Sequence, residues 1–227
     1  MKRSRLMSLI KSRRLWSLAL VILMVNVGLS ARAEGLDVGQ AAPDFTLPDN
    51  TGQPHSLHSA LGKNVVLVWF KPQCPAYKRH LRENTFENLS KQFTADQATI
   101  IMIDLSPFEP QPTPTPVANP NPASSAKPPA KPPAGPAPTP ILILHDPKGT
   151  VARLYHPRNY TETYVLDRQG TLVYYGAMDN DPQGTRNPST IENYAAAALE
   201  ALLAGRQPKV THTQPYGCMI SYSIFGP

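Results

Sequence analysis

Cysteine is scarce in this chain: Cys74 and Cys218 are the only two in 227 residues. Two thiols cannot build a multi-cysteine zinc site or the disulfide-dense framework of a small secreted domain. Phosphate-cradling loops are missing too, and no HExxH, P-loop or GxGxxG string occurs. Acidic side chains are absent from the first 33 residues, which hold seven bases (Lys2, Arg3, Arg5, Lys11, Arg13, Arg14 and Arg32). The formal charge of +6 therefore belongs to that stretch, and the rest of the chain carries 15 bases against 16 acids. A phosphate-neutralising surface is excluded, and a nucleic-acid partner with it.

The first 33 residues also lack a hydrophobic run long enough to span a bilayer. Leu15 to Leu29 is almost wholly apolar, short of the ~20 residues a membrane helix needs. Basic residues precede it and Ala31-Arg32-Ala33 follows with a small-x-small pattern, so residues 1–33 are expected to be a secretory signal peptide cleaved after Ala33. The expected location is the bacterial periplasm or the outside of the cell, with no stable membrane insertion after cleavage. That compartment is oxidising, which makes both cysteines competent to form a disulfide.

Proline is the opposite of scarce. Of 26 prolines, 14 lie between Pro107 and Pro140, a stretch with no apolar periodicity that reads as a disordered, polyproline-like insert. Residues 34–106 and 141–227 then form one domain, its 160 residues enough for a packed core. "DFTL" and "PHSL" are short strand candidates around the turn Asp49-Asn50-Thr51-Gly52. "NVVLVWF" and "ATIIMID" are continuous apolar runs of the kind buried on both faces of a sheet. Between them Leu81, Phe86, Leu89 and Phe93 lie on helical spacing, predicting a helix from Pro75 to about Phe93. "ILIL", a short helix through Val151 to Tyr155, and a hairpin of "TETYVLD" with "TLVYYG" follow, and a last helix is expected from an N-cap at Ser189 to Leu203. This order predicts an α/β three-layer fold with a central mixed sheet.

Cys74 lies four residues beyond "NVVLVWF" and directly before the expected helix start at Pro75. Unpaired N–H groups at a helix start stabilise a thiolate, and Lys71, Lys78 and Arg79 add positive potential, so Cys74 is the candidate nucleophile. The segments "GQAAPDFTLPDNTGQ", "VVLVWFKPQCPAYKRH", "YVLDRQGTLVYYGAMDN" and "QPYGCMISY" together resemble the redoxin or peroxiredoxin-like proteins of the alkyl hydroperoxide reductase and thiol-specific antioxidant group, within the thioredoxin superfamily. The resemblance implies a thioredoxin-like fold and a thiol–disulfide oxidoreductase whose partners are a thiol or disulfide protein or a small-molecule oxidant. It implies no cofactor and no metal.

Departures from that pattern carry information. Tyr77 stands where thioredoxins keep the second cysteine of CxxC, so the local resolving thiol is missing. Peroxiredoxins place Thr or Ser three residues before the nucleophile and an Arg on the later strand; here those positions are Lys71 and Thr161. Without these donors, disulfide exchange is expected to outrun peroxide reduction. Thr161 also aligns with the thioredoxin cis-proline, and strand direction places Thr161, Glu162, Gly176 and Asp179 at the end of the sheet where Cys74 emerges. Lys71, Tyr77, Thr161, Glu162, Gly176 and Asp179 are thus expected to rim Cys74, with Glu162 or Asp179 as proton acceptor. Cys218 reads equally well as a resolving thiol or as one end of a permanent bridge pinning the tail.

The competing class is a non-catalytic binding module or copper carrier with a structural Cys74–Cys218 disulfide, in which His212, Cys218 and Met219 would offer soft ligands. His80, six residues past Cys74, reads as a solvated surface histidine, and Asp179-Asn180-Asp181 as a turn. For the insert, limited proteolysis of the full chain is expected to cut near Lys127 or Lys131 and spare the core. Protection of both sites would mean that the insert is bound and ordered.

Overall fold

The computed structural model describes residues 35–107 and 137–225. The expected signal peptide and most of the Pro-rich insert lie outside the described residues. Strand β1 (Thr46–Pro48) pairs antiparallel with β2 (Pro54–Ser56), and the four-residue helix α1 (Leu57–Ala60) follows, its start capped by the Ser56 hydroxyl. The main sheet contains β3 (Asn64–Phe70), β4 (Ala98–Asp104), β5 (Ile141–His145), β6 (Thr163–Leu166) and β7 (Leu172–Gly176) in the order β5-β4-β3-β6-β7. Strands β3, β4 and β5 run parallel, whereas β6 and β7 run antiparallel to their neighbours. Every residue of β3 and β4 is buried, as their unbroken apolar sequence requires of strands covered on both faces.

Alternation along β3 divides the core in two. On one face Trp69 meets the rings of Tyr155 and Tyr164, at centroid distances of 5.4 and 5.2 Å. Tyr155 comes from helix α4 (Thr150–Tyr155), whose first turn is held by Asp146 accepting from the N–H groups of Thr150, Val151 and Ala152. On the other face Phe70 packs on Tyr77 of helix α2 (Pro75–Arg82), and Tyr77 on Phe86 of helix α3 (Thr85–Gln92). Helix α5 (Tyr194–Leu203) joins them there, through Tyr194 beside Tyr174 and Glu200 accepting from Gln92. These three layers around a mixed sheet are the expected thioredoxin-like architecture.

Three local expectations are corrected. The helix from Pro75 is two helices, because Asn84 turns left-handed (φ 53°) and ends the first ladder; Leu81, placed by spacing on the apolar face, is 50% exposed. The last helix is capped by the Asn193 side chain accepting from the Ala196 N–H, while Ser189 belongs to a separate turn at Pro188–Thr190. The Pro-rich stretch does not stay clear of the core up to Pro140. Thr139 is buried and hydrogen bonds with Ser90 and Phe93, and Pro138 bridges to Thr94.

Trp69 links the sheet to α4 through tilted and edge-on ring contacts, and its removal leaves a large void. Trp69→Ala is expected to cost about 3–5 kcal/mol in a denaturant melt. A loss below about 1 kcal/mol would mean that this aromatic cluster does not hold the layer.

Candidate active site

Strand β3 carries the chain out at Phe70, and the loop Lys71-Pro72-Gln73 closes with the Cys74 N–H donating to the Lys71 carbonyl (3.0 Å). Cys74 is the N-cap of α2 and Pro75 its first helical residue, the position where proline's missing N–H costs nothing. No side chain, that of Cys74 included, makes a capping hydrogen bond at this start, so the positive end of the helix beside Cys74 has no competing side-chain acceptor. Cys74 is 2% exposed. Its sulfur is bonded to that of Cys218, with Cα atoms 5.9 Å apart, and accepts the Cys218 backbone N–H at 3.2 Å.

Cys218 arrives on a tail that threads between two segments. His212 pairs with Tyr175 at the end of β7, and the tail then crosses Gly176. A Cβ at Gly176 (φ 138°) would strike the Thr213 carbonyl, and one at Gly217 (φ 116°) the Tyr160 carbonyl, so both crossings require glycine. Beyond Tyr216 the tail runs antiparallel to the loop before β6. Tyr160 N–H donates to the Cys218 carbonyl, Ile220 N–H to the Arg158 carbonyl, and the Asn159 amide to the Gly217 carbonyl.

Thr161 is buried in that loop with φ 80°, a region costly for a β-branched residue. Two bonds impose it: its N–H donates to the Trp69 carbonyl (2.6 Å) and its hydroxyl to the Tyr216 carbonyl (3.0 Å). Lys71 places its ammonium 5.8 Å from the Tyr160 ring centroid. Of the expected rim residues, Lys71 is joined to Cys74 through its backbone carbonyl and Thr161 to the tail at Tyr216, two residues before Cys218.

The others are directed elsewhere. Tyr77 is buried between Phe70 and Phe86, and burial pushes its phenol pKa up. Glu162 accepts from the N–H groups of Arg158 (2.6 Å) and Asn159 (3.3 Å), closing its own loop; burial raises its pKa against those bonds. Gly176 makes room for the tail. Asp179, 2% exposed, accepts from Arg79 Nη2 at 3.2 Å and from the Tyr216 hydroxyl at 2.5 Å. Neither carboxylate hydrogen bonds to a sulfur among the described residues; Glu162 is engaged by Arg158 and Asn159, and Asp179 by Arg79 and Tyr216.

Asp179 belongs to a buried cluster that spacing along the sequence did not reveal. Arg79 also reaches Glu83 (3.0 Å), Asp181 (3.8 Å) and the Tyr216 hydroxyl (2.5 Å). His80 is fully buried, contrary to the expectation of a solvated side chain. Its Nε2 lies 3.2 Å from the Tyr216 oxygen, and its Nδ1 3.2 Å from Thr85 and 3.7 Å from Asp179. Burial first, then the neighbouring Arg79 charge, hold the His80 pKa down at about 4 despite Asp179 and Asp181. The available signal was the i, i+3 spacing of Tyr77 and His80, which puts His80 on the core face of α2.

Metal sites find little support in this arrangement. Donor atoms of His80, Glu83 and Asp179 lie within 4.8 Å of one another, yet the Arg79 guanidinium already bonds to both carboxylates and occupies the cation's place. The copper set is not assembled: the Cys218 sulfur is in a disulfide, the His212 ring packs on Tyr175 and Met219 is 82% exposed. A metal ligates thiolate, not disulfide sulfur.

The AhpC/TSA family pattern matches residues 38–175, which include Cys74 and stop before the tail. The chain is 28% identical over 151 residues to the thioredoxin-like protein YneN of Bacillus subtilis, spanning 66% of this chain and 78% of that one. Among solved structures it is similar to an uncharacterised conserved protein of Geobacillus kaustophilus (TM-score 0.58, 19% identity, 83% of this chain and 93% of that one). A hypothetical protein of Sinorhizobium meliloti is also similar (TM-score 0.56, 17% identity, 83% and 96%). At such identities these two structures show the shared fold alone.

Because His80 stays neutral in the folded protein, an unfolded chain binds its proton more readily between about pH 6.5 and 4. The stability His80 contributes is therefore complete above about pH 6.5 and lost as the pH falls to about 4, a span worth roughly 3 kcal/mol at 1.36 kcal/mol per pH unit. Denaturant melts from pH 7 to pH 4 should show this slope, flattened in His80→Gln. The same slope in both proteins would remove His80 as its source.

Proposed function

The chain belongs to the AhpC/TSA family, and on that premise we propose that it is a thiol–disulfide oxidoreductase in which Cys74 supplies the reactive thiolate and Cys218 is its disulfide partner. The observation that carries this reading is the placement of one sulfur of the disulfide at an uncapped helix start. In the reduced state the N–H groups of α2 and the Cys218 N–H stabilise a Cys74 thiolate. That thiolate is the nucleophile that re-forms the bond on Cys218. Glu162 and Asp179 are engaged with other groups, so the proton released by Cys74 passes to solvent or substrate.

The working partners are thiols or disulfides of proteins or small molecules. Peroxide is a poor substrate on this reading, because Lys71 and Thr161 stand where preorganised donors to its oxygens would be needed. A periplasmic or secreted location is supported by the leader composition of residues 1–33 and by the requirement that a disulfide persist. No helix among the described residues is long and apolar enough to cross a membrane.

A bridge across 144 residues could instead serve stability, contributing about 5 kcal/mol in the loop-entropy account. Equilibration in glutathione and dithiothreitol buffers decides between the two. A working pair should give a potential between about −120 and −270 mV, the range of known oxidoreductases, whereas a pair still oxidised well below about −300 mV is structural and would overturn the reading.

A further inference from the structure

The two sulfurs of the disulfide are not equivalent, and their environments assign them different roles. Cys74 belongs to the hydrophobic core and is almost fully covered. Cys218 is half-buried, between exposed Gly217 and Met219, the most exposed large apolar side chain among the described residues. Both backbone polar groups of Cys218 point inward, the N–H to the Cys74 sulfur and the carbonyl to the Tyr160 N–H. Cys218 is thus the more exposed end of the bridge, whereas Cys74 is 2% exposed.

The leaving group is as unequal as the access. A disulfide opens fastest when the departing sulfur is the better-stabilised thiolate. Cys74 has the start of an eight-residue helix beneath it and already accepts the Cys218 N–H. Cys218 has no comparable donor among the described hydrogen bonds. Access and leaving-group stability favour the same regiochemistry.

We propose that an external thiol enters the oxidised protein at Cys218, not at Cys74. The inference rests on the oxidoreductase reading and specifies its first covalent step. A substrate thiolate attacks the Cys218 sulfur, the bond to Cys74 breaks, and both bonding electrons leave with Cys74 as thiolate. The intermediate is a mixed disulfide between substrate and Cys218. A second substrate thiol then attacks the substrate sulfur of that intermediate, releasing the substrate disulfide and leaving Cys74 and Cys218 reduced at the cost of two substrate electrons. In the reverse direction Cys218 takes up the external sulfur, and the Cys74 thiolate closes the ring by displacing it.

Tyr216 makes this order workable. Its hydroxyl bonds to Asp179 and Arg79 and its carbonyl to Thr161. These contacts hold the tail two residues from Cys218 without the aid of the disulfide, so the mixed disulfide stays within reach of Cys74.

Sulfite tests the regiochemistry, because it opens a disulfide to one S-sulfonate, on the attacked cysteine, and one thiolate. The oxidised full-length protein is treated with sulfite under native conditions with iodoacetamide present to cap the released thiolate, and the products are mapped by peptide mass spectrometry. The expected result is sulfonate on Cys218 and carbamidomethyl on Cys74, in at least tenfold excess over the reverse pair. In guanidinium the two product pairs should be nearly equal. A native ratio near one, or sulfonate mainly on Cys74, overturns the entry at Cys218 and leaves the oxidoreductase reading intact. A pair that keeps the tenfold selectivity but has a redox potential well below about −300 mV is not a working couple, and both proposals fall with that result.

Discussion

The carboxylate of Asp179 binds together parts of the chain that the sheet does not connect. It receives Arg79 from the helix begun by Cys74 and Tyr216 from the tail that carries Cys218. A carboxylate buried this deeply is tolerable only when its acceptor capacity is filled by charged or strongly polar donors. Arg79 supplies the charge, and the Asp181 N–H a further bond. Breaking one member of such a cluster leaves an uncompensated charge in the core, which costs about 3–5 kcal/mol in comparable sites.

On the proposed reading, this cluster lets the disulfide open without loss of the tail. Were the tail held only by the bond between Cys74 and Cys218, opening that bond would release it and scatter the two thiols. Tyr216, the backbone pairing with residues 158–160 and the close crossing at Gly176 hold the tail independently. Thr161, forced into a left-handed conformation by Trp69 and Tyr216, is where the loop, the central strand and the tail meet.

The family match ends at residue 175, so the Cys74 half of the site lies within it and the Cys218 half beyond it. Within the match Cys74 is the one cysteine, and Tyr77 three residues on is no thiol. The tail brings the missing sulfur from 144 residues away, and the short-range geometry of a local cysteine pair gives way to one set by tertiary packing.

The strands were legible because a strand buried on both faces must be apolar throughout: Asn64–Phe70 and Ala98–Asp104 have the bounds that their sequence predicts. The helix position of Cys74 was legible because Pro75 can only begin a helix. The break at Asn84 was not read, although the five-residue gap from Leu81 to Phe86 turns about 140° on a helix and takes Leu81 off the face of Phe86. Nor was the burial of His80, because its i, i+3 spacing from Tyr77 marks the core face only once Tyr77 is known to be buried instead of rimming Cys74. Local sequence therefore determined the sheet, the helix start and the candidate thiol, all of which depend on neighbours within a few residues. Tertiary structure alone decided that Cys218 meets Cys74, that Asp179 serves the scaffold, and that Tyr216 anchors the tail, because each depends on groups contributed by segments tens of residues apart.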